Sequence, residues 1–389
     1  MPAFSLEPAQ AAWSAELRTL AADRLRPLAE KGEPGRVNRP LLAELGQLGL
    51  LSRLFTSGAL DLCLMRESLA HACTEAETAL ALQGLGAYPV HAHGTPAQRE
   101  RWLPRVSEGS AVAAFALSEP GAGSDAAALS LTAAPDGPSG WRLTGEKCWI
   151  SNAPEADVYT VFTRTTAGAG ARGVTAFLVP ADRPGLTGTA LDMLSPHPIG
   201  ALAFDAVPVT SHDVIGEPDR GFRVAMGTLN LFRPSVGAFA VGMAQAALDA
   251  TLAHTAQRDA FGGKLKDLQA VAHQVAEMAL RTEAARLMVY AAAAAYDEGA
   301  KEGFPSDPGR AAMAKLLATE TAQYVVDAAV QLHGARALRR GHLLEHLYRE
   351  VRAPRIYEGA SEVQRTVIAK ELYKAYEAYQ ENGGEVEAG

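Results

Sequence analysis

The chain has 389 residues, with 36 Lys and Arg against 44 Asp and Glu, so its net charge is −8, and 48% of it is hydrophobic. This length predicts two or three domains, each large enough to bury a hydrophobic core. The basic residues are not clustered, so the sequence lacks the basic patch that a nucleic-acid-binding protein uses to contact phosphates. We therefore do not expect nucleic acid as a partner.

Neither a membrane span nor export is expected. The longest nearly apolar run, 236–248, is shorter than the roughly 20 residues that cross a bilayer and predicts a buried helix. The N-terminal MPAFSLEPAQ lacks the basic and then apolar pattern of a secretory signal. Cys63, Cys73 and Cys148 do not have the spacing of a disulfide framework. We therefore expect a cytoplasmic protein with its cysteines reduced.

The predicted elements begin with helices and continue with strands. From Gln10 to Leu103 the apolar positions recur with helical period, with breaks predicted over 31–35 and 84–96. Short runs separated by Gly and Pro follow, several of them rich in Val, Thr, Phe and Trp. They predict the strands of an antiparallel barrel or sandwich, over 111–118, 129–133, 141–146, 158–165, 174–179 and 201–207.

Helices return after Gly221. A stripe of apolar or small residues at steps of three and four, from Leu268 to Val289, predicts one long helix. Further helices are predicted over 310–332, 343–351 and 361–379, the last opened by a capping-box pattern at Ser361 and Gln364. The fold class is therefore α+β multidomain, with an N-terminal all-α domain (1–112), a central β domain (113–217) and a C-terminal α-helical bundle (218–389).

Two short motifs are candidate binding sites. The glycine-rich loop 118–125 brings backbone N–H groups within reach of a ligand, but the turn at 135–138 comes too soon for the helix of a dinucleotide fold. His342 and His346 match a short zinc pattern without an identifiable third protein ligand, so no metal is expected. Walker, EF-hand and G-x-S-x-G patterns are absent from the sequence.

One carboxylate stands out. Glu358 lies in the short apolar-flanked loop 355–361, directly before the last long helix. Without further context, the favourable field of the helix N-terminus is the better explanation of a glutamate there. A dry loop would instead raise its pKa and make it a usable general base.

Four stretches together resemble the acyl-CoA dehydrogenase family of flavoproteins, and the likeness covers nearly the whole chain. They are 115–125 (FALSEPGAGSD), 143–152 (LTGEKCWISN), 257–262 (QRDAFG) with Gln269 downstream, and 356–364 (IYEGASEVQ). The resemblance implies a C-terminal four-helix bundle, one FAD per subunit and a homotetramer built as a dimer of dimers.

The resemblance also implies a reaction. Family members oxidise an acyl-CoA to its trans-2-enoyl form: a glutamate takes the α proton and the β hydride goes to flavin N5. Glu358 stands at the position of that base, and its backbone N–H would help to stabilise the developing enolate oxygen. Some members carry the base immediately before the arginine that corresponds to Arg233, where this chain has Phe232. Arg233 is expected to support catalysis by tuning the base.

The remaining site residues follow from the same likeness. Expected around FAD are Phe115, Leu117, Ser118, Trp149, Ser151 and Ala360, with Arg258, Phe261, Gln269, Gln331 and Gly334 reaching its diphosphate and adenine end from a neighbouring subunit. Cofactor binding and assembly would then be linked. Expected around the acyl-CoA are Ser124, Asn230, Arg233, Tyr357 and Gly359.

The chain departs from the family pattern at several positions. Phe115 replaces a common tyrosine, Ala360 a common threonine, and the stretches 331–337 and 197–200 are unusual. These changes favour an acyl group outside the commonest fatty chains. We expect electron-transfer flavoprotein as the electron acceptor. The alternatives are an oxygen-using acyl-CoA oxidase, a dehydrogenase of acyl-carrier-protein thioesters, and a catalytically silent helical scaffold.

Overall fold

The computed structural model describes residues 6–302 and 307–381, so the first five residues, part of the stretch that argued against a secretory signal, lie outside it. The described chain divides into two compact units. We call residues 9–57 and 68–229 the sheet unit, and residues 6–8, 58–67, 230–302 and 307–381 the helical unit.

Helices form the first part of the chain. They are α1 (Pro8–Leu20), α2 (Arg26–Ala29), α3 (Arg39–Gln47), α4 (Leu50–Thr56), α5 (Ala59–Ala72), α6 (Thr74–His93) and α7 (Pro96–Ser107). The predicted break over 84–96 is wrong for most of its length, because α6 continues to His93. A Cβ on Gly86 would lie 2.5 Å from the backbone N of Ala114, so this glycine allows the helix to pack closely on the next strand.

The sheet unit contains one eight-stranded sheet. Its strands are β1 (Ala113–Ala116), β2 (Thr132–Pro135), β3 (Gly140–Ser151), β4 (Val158–Arg164), β5 (Val174–Pro180), β6 (Leu186–Ala190), β7 (Ile199–Thr210) and β8 (Val214–Ile215). The order is β6-β7-β3-β2-β4-β5-β8, and β1 pairs with β4. The sequence did not predict β6, an edge strand that is mostly exposed, or the two-residue β8.

The sheet is mixed rather than wholly antiparallel. Strands β1 and β2 both run parallel to β4, with Ala113 opposite Val158 and Thr132 opposite Arg164. A long connection between β1 and β4 permits the parallel pairing, which a tight hairpin could not. The prediction of an antiparallel sheet is therefore wrong for these two pairs, whereas the order of helices, sheet and helices is confirmed.

The core of the sheet unit lies between the sheet and helices α6 and α7. Val90 of α6, Trp102 of α7 and Phe162 of β4 are at most 4% exposed and belong to one apolar cluster. Burying each large apolar side chain of this kind contributes roughly 1.5–3 kcal/mol. This packing supports β1, which carries Phe115.

The helical unit is built from long helices. The elements after the sheet are α8 (Gly221–Gln257, beginning in the sheet unit), β9 (Asp259–Ala260), β10 (Gly263–Lys264), α9 (Gln269–Glu302), α10 (Pro308–His333), α11 (Leu343–Glu350) and α12 (Ser361–Glu381). Helix α8 is long and apolar enough to cross a membrane, but 72% of its most apolar window is buried inside the protein. This confirms the buried helix predicted over 236–248.

The predicted stripe on α9 is also confirmed. Met278, Thr282, Ala285 and Val289 are at most 1% exposed and line one face of the helix. Helix α9 packs against α10, which packs in turn against α12. Helix α10 thereby supports the turn that precedes α12.

Candidate active site

Glu358 lies in a left-handed turn directly before α12. Its φ is +50°, and the φ of the next residue, Gly359, is +96°. A non-glycine residue in this conformation costs roughly 1–2 kcal/mol, so the surrounding contacts must hold it there. Such strain in front of a helix is typical of a functional position.

The carboxyl group of Glu358 is buried at one oxygen. Its Oε2 has almost no accessible surface and no hydrogen-bond partner among the described residues. Burial raises the pKa of Glu358, and the nearby cations Arg66, Arg233 and Lys315 only oppose this effect. A raised pKa makes this carboxylate more basic than an exposed glutamate.

The three cations come from different helices of the helical unit. Arg66 of α5 donates from Nη1 to the Ser235 hydroxyl at 2.7 Å, and Arg233 of α8 donates from Nη1 to Asn230 Oδ1 at 2.9 Å. Lys315 of α10 is fully buried, and burial lowers its pKa to about 8. This cluster places positive charge around a single glutamate.

The other predicted residues of this turn accompany Glu358. Tyr357, Gly359 and Ala360 are half-buried and continuous with it. Ser361 and Gln364 do not form the predicted capping box: the Ser361 hydroxyl donates to Glu320 Oε1 at 2.6 Å, and the Gln364 amide donates to backbone carbonyls of the turn. The prediction failed because a glutamate on α10 offered the hydroxyl a charged acceptor.

A second group of predicted residues lies on β1 and β3 of the sheet unit. The pairing of β3 with β7 shifts register between Lys147 and Ile150. Trp149, inside this bulge, has φ +56° and is 46% exposed. Bulges re-aim side chains near functional sites, and this one turns an indole outward at the end of the strand.

Phe115, Leu117, Ser118 and Ser151 accompany this tryptophan. The Cys148 N–H donates to the Ser118 carbonyl at 3.0 Å, which ties the loop after β1 to the bulge. Phe115 packs against Phe162 with 4.8 Å between ring centroids. Ser118 and Ser151 are both half-buried, so their side chains are partly open to solvent.

A buried ion pair that the sequence analysis did not identify fixes this loop. Lys147 Nζ donates to Glu119 Oε1 at 2.8 Å and to the Leu117 carbonyl at 2.9 Å. Glu119 also accepts the N–H groups of Ser130 and Leu131. Burial alone would raise the pKa of Glu119, but the Lys147 ammonium and these N–H donors hold it below its usual value. Lys147 and Glu119 thus clamp the loop that carries Leu117 and Ser118.

These residues fit a flavin. An exposed indole offers a stacking face, the neighbouring serine and main-chain groups offer polar contacts, and the Cβ positions of Gly121 and Gly123 have nothing within 4 Å. The glycine-rich loop is followed by only a three-residue 3₁₀ helix, Ala126–Ala128, so the chain lacks the helix of a nicotinamide dinucleotide motif there. Ser124, predicted near the acyl-CoA, is exposed in the same loop.

A third group of predicted residues is exposed on the helical unit. Arg258, Phe261 and Gln269 lie at and between the end of α8 and the start of α9, with Phe261 90% exposed at φ +54°. Gln331 and Gly334 lie at the end of α10, and Gln331 is about 24 Å along that helix from Lys315. Gln331 and Gly334 are therefore far from the part of α10 that contacts the turn of Glu358.

His342 and His346, the two histidines of the short zinc pattern, lie at the start of α11. His342 precedes α11 as its N-cap, where its Nδ1 accepts the Leu344 N–H at 3.1 Å. Within the described residues no group of three or more His, Cys, Asp or Glu could hold a metal ion. The His342 ring instead lies 5.8 Å from that of His333, which stacks on His254 at 4.2 Å.

Sequence reasoning missed Arg66 and Lys315 as well as the Lys147 clamp. A signal was present, since Arg66 interrupts the apolar run LDLCLM and Lys315 lies between AAMA and LLA. A charged residue on an otherwise apolar helix face is buried only when it is paired or hydrogen-bonded. The sequence does not reveal which partner it meets.

The chain is similar to acyl-CoA dehydrogenases over most of its length. The family descriptions of the acyl-CoA dehydrogenase N-terminal, middle and C-terminal domains match residues 7–110, 114–207 and 219–373. The short-chain specific acyl-CoA dehydrogenase of Bos taurus mitochondria is 37% identical over 371 residues, covering 92% of this chain and 89% of the relative.

Two solved structures are similar over almost their whole length. Butyryl-CoA dehydrogenase from Megasphaera elsdenii is 32% identical with a TM-score of 0.88, covering 95% of this chain and 100% of that one. PigA with FAD and proline is 26% identical with a TM-score of 0.88, covering 95% and 99%. The chain belongs to the acyl-CoA dehydrogenase family, and it is an oxidoreductase whose cofactor is FAD.

Proposed function

We propose that this chain dehydrogenates an acyl-CoA thioester at its α and β carbons, with Glu358 as the base that removes the α proton. The observation that carries the proposal is the buried Oε2 of Glu358, which has no hydrogen-bond partner among the described residues. A carboxylate oxygen without donors is poorly stabilised as an anion and is therefore ready to accept a proton.

Proton removal next to a thioester also requires stabilisation of the enolate oxygen. In the left-handed turn, the Glu358 carbonyl accepts hydrogen bonds from Arg233 Nε, at 3.3 Å, and from Gln364 Nε2. We assign the Glu358 N–H as a donor to the substrate carbonyl, so that the same residue acts through its side chain and its main chain. Asn230, Arg233, Tyr357 and Gly359 would line the acyl-CoA beside it, with Ser124 of the sheet unit.

FAD, when bound, supplies the acceptor for the β hydride. The residues proposed to hold its ring are Phe115, Leu117, Ser118, Trp149 and Ser151, together with Ala360. Trp149 provides the stacking face, and the Lys147–Glu119 pair keeps the loop of Ser118 in place. The exposed group of Arg258, Phe261, Gln269, Gln331 and Gly334 would bind the diphosphate and adenine end for a neighbouring subunit.

The proposal also covers the electron acceptor, the assembly, the compartment and the domains. We assign electron-transfer flavoprotein as the acceptor, a homotetramer as the assembly, the cytoplasm as the compartment, and the domains 1–112, 113–217 and 218–389. The relatives named for short-chain and butyryl substrates make butyryl-CoA the first acyl-CoA to test. The departures at Phe115, Ala360 and 331–337 call for branched and cyclic acyl-CoAs beside it.

Anaerobic reduction of the bound flavin tests the proposal. The wild-type protein is expected to be yellow and to bleach with a suitable acyl-CoA, whereas Glu358→Gln should bind FAD and the same acyl-CoA without bleaching. The matched control is Glu362→Gln, four residues later, whose side chain is 82% exposed. Reduction at the wild-type rate in Glu358→Gln would remove Glu358 from the mechanism.

The acceptor is tested separately. With electron-transfer flavoprotein present, the reduced enzyme should reoxidise rapidly and yield little hydrogen peroxide in air. Stoichiometric peroxide with no response to the flavoprotein would identify an oxidase. Turnover of an acyl-carrier-protein thioester in preference to the CoA thioester would identify a dehydrogenase of acyl-carrier-protein thioesters.

A further inference from the structure

Side chains hold the turn of Glu358 and Gly359 through its backbone carbonyls. The Gly359 carbonyl accepts from Lys315 Nζ at 2.7 Å and from Gln364 Nε2 at 3.1 Å. The Glu358 carbonyl accepts from Arg233 Nε and from the same Gln364 Nε2, each at 3.3 Å. Both peptide groups that follow the Glu358 Cα are therefore fixed by side chains of α8, α10 and α12.

Two of these donors are unusual in their burial. Lys315 and Gln364 are both 0% exposed. An ammonium group taken out of water costs free energy that a surface lysine does not pay, and the Gln364 Oε1 is buried with no hydrogen-bond partner among the described residues. Because the burial of these two side chains costs free energy, we look for the function of the turn that they hold in place.

The fit at the turn is close as well as polar. A Cβ on Gly359 would lie 2.0 Å from Gln364 Nε2, and the positive φ of that residue is itself unfavourable for a side chain. Gly359 therefore gives the amide of Gln364 access to both carbonyls. In this left-handed turn both carbonyls are hydrogen-bonded, and these contacts help to offset the cost of the positive φ of Glu358.

We propose that Lys315 and Gln364 are positioning residues for the base: they hold the Glu358–Gly359 turn so that the Glu358 carboxylate and backbone N–H both face the substrate thioester. This inference rests on the proposed role of Glu358. Both residues bind the backbone carbonyls of the turn. Gln364 acts through these contacts alone, whereas the Lys315 charge also opposes the raised pKa of Glu358, so the neutral Gln364→Met variant isolates the positioning effect.

The main test compares Lys315→Met and Gln364→Met with Lys374→Met, a control on α12 whose side chain is 75% exposed. The methionines keep length and remove the donors. The rate of anaerobic flavin bleaching should fall by about 10- to 100-fold in both variants, since a misplacement of about 1 Å costs rates of this order. The Kd for butyryl-CoA should change by less than about threefold, because the contacts of the CoA moiety are retained. Rates equal to those of Lys374→Met would overturn the proposal.

A second readout does not depend on turnover. Acetoacetyl-CoA cannot be dehydrogenated at the same carbons, and its enolate reports how well the site stabilises negative charge on the thioester oxygen. Ultraviolet titration of the enzyme-bound ligand should show enolisation at a pH about one unit higher in Lys315→Met and Gln364→Met. An unchanged enolisation pH with a lowered bleaching rate would overturn the assignment to the Glu358 N–H.

Failure of the inference is distinguishable from failure of the proposed function. If Glu358→Gln still bleaches at the wild-type rate, the base is elsewhere and both statements fall. If Glu358→Gln is inactive while both methionine variants are normal, only the positioning role is lost. If neither methionine variant folds, the two side chains stabilise the fold rather than aim the base, and the proposal is also overturned.

Discussion

Removing the ammonium of Lys147 should destabilise the sheet unit more than any surface substitution. Lys147 is 0% exposed and Glu119 is 3% exposed, so Lys147→Met would leave a buried carboxylate without its main counter-charge. Breaking a buried pair from one side costs roughly 3–5 kcal/mol. For a unit of about 200 residues this corresponds to a fall in Tm of roughly 6–20 °C.

The assay is thermal unfolding of the FAD-loaded protein, followed by circular dichroism and by flavin fluorescence. Lys31→Met, an exposed lysine of the same unit, is the control and should shift Tm by less than about 2 °C. The double variant Glu119→Leu with Lys147→Met should recover part of the loss, because both charges are then gone. Recovery stays incomplete because the N–H groups of Ser130 and Leu131 lose their acceptor.

The same variant should alter the flavin spectrum, since the clamp holds the loop of Ser118. The expected change is a blurred vibrational structure in the long-wavelength absorbance band of the bound flavin. A Lys147→Met protein whose Tm and spectrum match those of Lys31→Met would refute the reasoning. It would show that the ion pair contributes neither to stability nor to the placement of the loop.

Three further outcomes follow from other contacts. Burial is the main cause of the lowered pKa values of His254 and His333 in the folded protein. In the unfolded chain these histidines have a pKa of about 6.5 and therefore bind more protons as the pH falls through that value. The free energy of unfolding, measured by urea titration, should therefore fall as the pH drops from 7 to 5. A constant value over that range would contradict this. Gly86→Ala should destabilise by about 1–3 kcal/mol, since its Cβ would meet the Ala114 backbone at 2.5 Å, and Tm reports the loss. Asp297→Ala should cost about 1–2 kcal/mol, because this carboxylate accepts the first two N–H groups of α5, and an unchanged Tm would exclude a capping role.

Much of the fold was predictable because local sequence patterns specify it. The stripe from Leu268 to Val289 specifies one buried face of α9 whatever that helix packs against. The edge strand β6 carries no such pattern, since its LTGTA segment is mostly exposed and owes its conformation to pairing with β7. The break predicted around Gly86 was wrong because glycine usually marks a break, but here it permits close contact between a helix and a strand.

The candidate base was predictable as a residue and not as a site. The loop 355–361 pointed to Glu358, and family likeness raised it above a helix-dipole explanation. Burial raises its pKa, and the cations that oppose this shift, Arg66, Arg233 and Lys315, are separated from it by up to nearly 300 positions along the chain. No periodicity or spacing relates these residues, because each only obeys the pattern of its own helix. The basicity of Glu358 is therefore a property of tertiary packing: the same IYEGAS sequence exposed to water would carry an ordinary glutamate.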